Sequence, residues 1–295
     1  MAKPFVNPFV SGQFLELRVD ALVSDGRGLG RHDGVVVLVE DALPGQLVRA
    51  RVAAVRKSLA EAALVEVLER SPDEQEPPCP HAGRCGGCSW QSLAYGRQLA
   101  WKERIVHDAL ERVGKVACPP MLPILPSPSE WGYRNKMEFA FGVSGDGGKA
   151  LGLRERGSRN IVGVTGCLLQ TPLTMRVLEA VRMLSNGAFH DLDGRFLVVR
   201  EPNAGGCFVE LIVGAGGSLE AGERFAEALR AETPEVTGFA LSERLAPSDV
   251  AYGERALYAD GRLEERIGDV RLQMGHNAFF QVNTPAAELL YAEAA

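Results

Sequence analysis

Phe14-Leu15-Glu16-Leu17-Arg18-Val19 alternates apolar and polar side chains. A period of two puts every second side chain on the same face of a strand, so this stretch predicts a half-buried β-strand. The same signal continues along the chain. Val35 to Val39 is an apolar run, Leu47 to Val55 alternates again, and Ala63 to Leu68 closes the set. Ser24-Asp25-Gly26, Asp33-Gly34 and Pro44-Gly45 mark turns between the strands. Four or five short strands in this space predict a small closed β-barrel of the OB type. The segment Gly26-Arg27-Gly28-Leu29-Gly30-Arg31 is glycine-rich and basic. No helix follows it, so it is not a dinucleotide fingerprint. Two readings stand for it: a backbone loop that approaches RNA phosphates, with Arg27 and Arg31 as contacts, or a mobile hairpin loop.

The next stretch carries different chemistry. Ser71 to Pro78 is a Pro- and acid-rich linker running into Cys79-Pro80-His81-Ala82-Gly83-Arg84-Cys85-Gly86-Gly87-Cys88. Three clustered cysteines and a remote Cys167 form a set suited to a cubane iron–sulfur cluster, in which each iron takes one soft sulfur ligand. Gly83, Gly86 and Gly87 let the backbone wrap a bulky inorganic core. Four thiolates also suit tetrahedral zinc, but Cys167 lacks the neighbouring cysteine of a paired knuckle. The plainest alternative is a set of buried, unliganded thiols. His81 reads as a turn cap inside the loop.

The rest of the chain alternates helices and strands. Residues 92–113 show helical spacing, with Leu99, Ile105 or Val106, Leu110 and Val113 on one face and Gly114 as the stop. Residues 118–128 hold five prolines and form an extended connector. Met137–Val143 and Leu151–Arg154 predict a hairpin. A helix follows Pro172, strands fall at Phe196–Arg200, Cys207–Val213 and Thr237–Ser242, and a helix lies near Glu220–Ala231. Leu263–Ile267 and Val270–Met274 form a second hairpin. A last helix begins with Thr284 as cap and Pro285 at its first position. The chain has no glycine-rich strand-to-helix turn and no βαβ series, so no doubly wound cofactor sheet is expected.

At 295 residues and 46% hydrophobic content, the chain can bury the cores of two or three domains. No apolar stretch is long enough to span a bilayer, and the start lacks a signal-peptide pattern. A set of thiolates fits a reducing cytoplasm, so a cytoplasmic location is expected. Neither a membrane nor an obligate protein partner is expected. The net charge is −6, but the acidic excess is concentrated after residue 167, where eleven basic side chains meet nineteen acidic ones. A polyanion should therefore meet the earlier two thirds of the chain.

Several segments together resemble one family, the iron–sulfur RNA (uracil-5-)-methyltransferases that modify 23S ribosomal RNA and carry an N-terminal TRAM barrel. They are Asp25 to Arg31, Ala42-Leu43-Pro44-Gly45, Ser71-Pro72, the run Cys79 to Cys88 with Trp90-Gln91, and Tyr95 with Gln98-Leu99. Tyr133-Arg134-Asn135-Lys136, Gly166-Cys167 and Phe279-Phe280-Gln281-Val282-Asn283 complete the set.

The resemblance implies that Cys79, Cys85, Cys88 and Cys167 bind a [4Fe–4S] cluster. It implies that Gln281 lies at a pocket for S-adenosylmethionine or the target uracil, and that the partner is RNA, most readily 23S rRNA. Arg134 and Lys136 would hold phosphate or the flipped nucleotide, and Arg154, Arg156 and Arg159 would form a basic rim. Asn283 would cap a helix or support the pocket, and His276 would be structural. Cys118 and Cys207 would be ordinary small residues.

The implied fold is multidomain: a TRAM barrel over 1–70, an iron–sulfur segment over 71–170, a central α+β domain over 171–283, and the start of a further helix over 284–295. The catalytic cysteine and general base of the family would lie beyond Ala295. The chain is thus expected to be an inactive N-terminal fragment with an incomplete donor pocket and no Rossmann-like methyltransferase domain. The alternatives are a non-catalytic RNA-binding iron–sulfur module, a redox iron–sulfur protein, or the same chemistry on tRNA.

Overall fold

A computed structural model describes residues 7–117, 119–214 and 217–295. The chain divides into two compact units. One comprises Met1–Gly83 and Cys88–Pro126, the other Arg84–Gly87 and Ser127–Ala295.

In the first unit, β1 (Phe14–Leu22), β2 (Gly28–His32), β3 (Val35–Glu40), β4 (Leu47–Val55) and β5 (Leu59–Glu69) close into a barrel in the order β1-β2-β3-β5-β4. Only β3 and β5 run parallel. The alternation that marked the strands fills the interior: Leu15, Leu17 and Val19 meet Val37, Val39, Val48, Ala50 and Val52.

The glycines of the basic segment have a packing reason. Gly28 and Gly30 lie in β2, not in a loop. A Cβ on Gly30 would stand 2.3 Å from the Arg18 carbonyl oxygen, and one on Gly28 would stand 2.7 Å from that of Ala42. Only glycine permits such close backbone approach.

Helix α1 (Tyr95–Asp108) continues into a π-helical turn, Ala109–Val113. Gly114 closes it by donating its N–H to the Ala109 carbonyl at 2.8 Å. Trp90, Trp101 and Ile105 pack on Leu22, Leu43 and Leu93. The Trp90 indole N–H donates to the Gly26 carbonyl at 3.0 Å, as a buried indole needs a partner. These contacts tie the helix to the barrel. Cys118 lies outside the described residues.

The second unit is built on a seven-stranded sheet. It comprises β6 (Lys136–Val143), β7 (Lys149–Arg154), β8 (Ile161–Val162), β9 (Gly194–Arg200), β10 (Cys207–Val213), β11 (Val236–Glu243) and β12 (Arg255–Asp260), in the order β12-β11-β10-β9-β6-β7-β8. Two helices, α2 (Pro172–Asn186) and α3 (Leu219–Glu232), bury Val177, Leu178, Val181, Phe225 and Leu229 with Phe139, Leu197, Val209, Leu211, Phe239 and Leu241 of the sheet. Thr171 and Ser218 cap the two helices, accepting from the Thr174 and Ala221 amides.

β10 and β11 are parallel, with α3 between them in sequence. Together they form a βαβ unit that the sequence alone did not reveal. Its connection from β10 to α3, Gly214 to Ser218, is glycine-rich, against the expectation of no glycine-rich strand-to-helix turn, and hydrophobic pattern alone does not reveal parallel pairing. A hairpin of β13 (Leu263–Ile267) and β14 (Val270–Met274) and the helix α4 (Thr284–Ala294) complete the unit. Asn283, not Thr284, caps α4; its Oδ1 accepts from the Ala286 amide at 3.1 Å. Among the described residues, no helix is long and apolar enough to cross a membrane.

Candidate functional site

The two faces of the seven-stranded sheet differ in chemistry. The helix-covered face is apolar. The register places Glu138, Val198, Glu210 and Ala240 side by side, and Lys136, Arg200 and Phe208 in the next row, on the opposite face. The hairpin packs there through Leu263 and Met274 on Phe208 and Ala240. The chain then crosses from β14 to α4 as a strap, residues 275–283.

Two residues pin that strap through its carbonyls. Arg200 is buried, and its Nη2 donates to the His276 carbonyl at 3.0 Å and the Ala278 carbonyl at 2.7 Å. Asn135 holds the other end. Its amide N–H donates to the Val282 carbonyl at 2.9 Å, and its Nδ2 reaches the Gln281 carbonyl at 3.0 Å and the Thr284 hydroxyl at 2.7 Å. Asn277 Nδ2 donates to the Gly253 carbonyl, and Asn283 Nδ2 to the Ser127 hydroxyl. Held this way, the strap leaves Phe279 84% exposed and Gln281 half-buried beside it. The segments Tyr133–Lys136 and Phe279–Asn283, distant in sequence, thus meet through Asn135.

Buried charge surrounds the strap. The Glu210 carboxylate accepts from the Ser242 hydroxyl at 2.6 Å and lies 3.7 Å from the His276 Nε2. Glu265 is buried and accepts from the Asn203 amide at 2.9 Å, with Asn135 Nδ2 3.3 Å from its other oxygen. Burial pushes the Glu265 carboxyl above its usual range. Burial also lowers the Arg200 guanidinium from its usual value, against the attraction of Glu210, Glu138 and Glu265. Sequence reasoning missed Arg200, Glu210 and Glu265. The available signal was a single charge set in each of two apolar strands, Phe196 to Arg200 and Cys207 to Val213, where an unpaired charge is costly.

Arg27, Arg134, Lys136 and Arg154 are already engaged within the chain. Arg27 is paired with Asp25 through its Nε at 2.9 Å, and this bond raises the arginine and lowers the aspartate from their usual values. Arg31 is exposed in β2. Arg134 Nε donates to the Lys136 carbonyl at 3.1 Å, and Lys136 pairs with Glu138. Arg154 pairs with Asp249.

Of the candidate metal-binding thiols, Cys79 and Cys88 belong to the first unit, and Cys85 and Cys167 to the second. All four are half-buried, unlike the fully buried Cys207. The Gly87 amide donates to the Cys85 sulfur at 3.4 Å. An N–H directed at a sulfur and a glycine beside it suit a thiolate ligand. Among the described residues, no group of three or more His, Cys, Asp or Glu side chains is gathered as a metal site. Burial pushes the Cys207 thiol up to about 12, so it is an inert packing residue rather than a nucleophile.

Comparison with known proteins follows the same division. Residues 8–65 match the TRAM domain family. An uncharacterized RNA methyltransferase of Nitratidesulfovibrio vulgaris is 46% identical across 97% of this chain and 64% of its own length. One of Synechocystis is 32% identical across 95% of this chain and 62% of its own. The solved tRNA (uracil-54, C5)-methyltransferase of Pyrococcus abyssi, in complex with S-adenosyl-L-homocysteine, shares the fold. Its TM-score is 0.69 at 23% identity, covering 94% of this chain and 64% of that one. The chain therefore carries a TRAM domain and has RNA methyltransferase relatives, and it spans just under two thirds of their length.

These matches correct the expected fold class. The barrel and the α+β unit are both present, but the expectation that the chain lacks a methyltransferase fold is not supported. The two relatives align along 97% and 95% of the chain, and 94% of it follows the fold of a solved methyltransferase. That expectation rested on the position of Ala295 and on the absence of a glycine-rich turn, although Gly214, Gly216 and Gly217 lie between β10 and α3 in sequence. The expected inactivity has no support in these matches.

Proposed function

We propose that the protein is an S-adenosylmethionine-dependent RNA methyltransferase that forms 5-methyluridine. The observation that carries this is the strap: Asn135 joins Tyr133–Lys136 to Phe279–Asn283, and presents an exposed aromatic beside a glutamine. An exposed aromatic face suits stacking on an unpaired base. A glutamine amide can both donate to and accept from a uracil edge or the donor. The TRAM barrel and the RNA methyltransferase relatives support the same reading.

C5 of uracil is a weak nucleophile. Adding a thiolate to C6 makes C5 enolate-like, so it attacks the sulfonium methyl and releases the thioether product. A base then takes the C5 proton as the thiolate leaves. The target base must first leave its stack. Within this scheme Gln281 orients donor or uracil, and Arg27, Arg31, Arg134 and Lys136 contact phosphate. We assign no nucleophile among the described residues. The proposed substrate is 23S rRNA, as the resemblance favours; tRNA is the second reading, favoured by the substrate of the solved neighbour. Cys79, Cys85, Cys88 and Cys167 would hold a [4Fe–4S] cluster.

Gln281→Ala is expected to weaken S-adenosylhomocysteine binding by about tenfold, the loss of one or two hydrogen bonds. Titration calorimetry on the full protein checks this. Unchanged affinity in this variant would remove Gln281 from the donor site.

A further inference from the structure

We propose that Arg200 is a positioning residue that sets the strap at the register Gln281 requires. The inference rests on the donor-site reading above, and it deepens it. Arg200 sits at the end of β9, after the apolar run Phe196 to Val199, with its side chain buried under the strap. A guanidinium in such a place costs solvation free energy, and ordinary packing gives no reason to keep it. Its partners give the reason. One nitrogen, Nη2, donates to two carbonyls, those of His276 and Ala278, so it fixes two positions of the strap at once. It makes these bonds to backbone carbonyls, while three carboxylates, Glu210, Glu138 and Glu265, balance its charge from nearby.

The Ala278 carbonyl lies three residues before Gln281. The Gln281 carbonyl itself is held by Asn135 Nδ2. The glutamine is thus bracketed: Arg200 sets the approach and Asn135 sets the departure. Asn135 and Arg200 are themselves linked through the sheet, because Lys136 of β6 pairs with Arg200 of β9 in register, and the Glu201 amide donates to the Asn135 carbonyl at 2.8 Å. Both ends of the strap therefore refer to the same end of two paired central strands. Bonds from a charged donor to two carbonyls are stronger than neutral ones. The bracket makes the direction of Gln281 a property of the sheet rather than of a nine-residue connection.

The test compares Arg200→Met, Arg200→Lys and Gln281→Ala in the full protein by hydrogen exchange and S-adenosylhomocysteine titration. In Arg200→Met, the amides of residues 276–282 should exchange about ten- to a hundredfold faster, while those of β10 and β11 keep their protection. Donor affinity should fall with it, and Arg200→Lys should recover part of both. Gln281→Ala should leave strap exchange at the wild-type rate, so it reports on the donor reading alone. If Gln281→Ala does not weaken the donor, that reading fails, while faster strap exchange in Arg200→Met still upholds the clamp. Unchanged strap exchange in Arg200→Met overturns the proposal. So does equal loss of protection in strap and sheet, which would make Arg200 a general fold residue. If Arg200→Met does not fold, Arg200→Lys decides by the same comparison.

Discussion

Cys167→Ser, purified without oxygen, is expected to lose nearly all of its iron, against about four irons per chain in the unaltered protein, as a cubane contains. Cys167 lies far in sequence from Cys79, Cys85 and Cys88, so no local loop effect accounts for such a loss. A serine hydroxyl is a much poorer ligand for iron than a thiolate. Cys207→Ser is the matched control. That thiol is buried and pushed up to about 12, so its replacement should leave the iron in place. Equal iron in Cys167→Ser and the parent, or stoichiometric zinc in both, would contradict the cluster assignment.

The second large effect concerns stability. Phe239 is fully buried on the helix-covered face of the sheet, stacked on Phe225 at 5.5 Å between ring centroids and tilted against Tyr258 at 6.3 Å. Phe239→Ala removes the ring and leaves a cavity, at a cost of about 3–5 kcal/mol. For a unit of this size the melting temperature should fall by roughly 10 °C. Calorimetry on the two proteins measures it directly. Exposed Phe279, by contrast, should change to alanine with little effect on melting. A fall of only a degree or two at Phe239 would mean the sheet and helices are less tightly packed than described.

Local elements were legible where hydrophobic period and caps agree. The barrel strands follow from alternation at Leu15, Leu17 and Val19, and α2 from Thr171-Pro172. β8, of two residues, and β12, with no clean alternation, gave no such signal. The glycines at 28 and 30 looked like a loop because composition does not distinguish a mobile loop from a close strand approach. The parallel β10–β11 pair was hidden because register and direction are long-range properties. The site divided in the same way. Gln281 and the Tyr133–Lys136 segment were visible as motifs, but the side chain that joins them, Asn135, was overlooked between its two charged neighbours. Arg200 was missed because its role depends on carbonyls more than seventy residues away.

The central claim is methylation of C5 of an RNA uridine. It is tested most directly by isolating ribosomal and transfer RNA from cells with and without the gene, digesting each to nucleosides, and measuring 5-methyluridine by mass spectrometry. The account predicts that one RNA class, 23S rRNA first, loses 5-methyluridine at a single position when the gene is removed and regains it when the gene is returned. Unchanged 5-methyluridine in both RNA classes would contradict it.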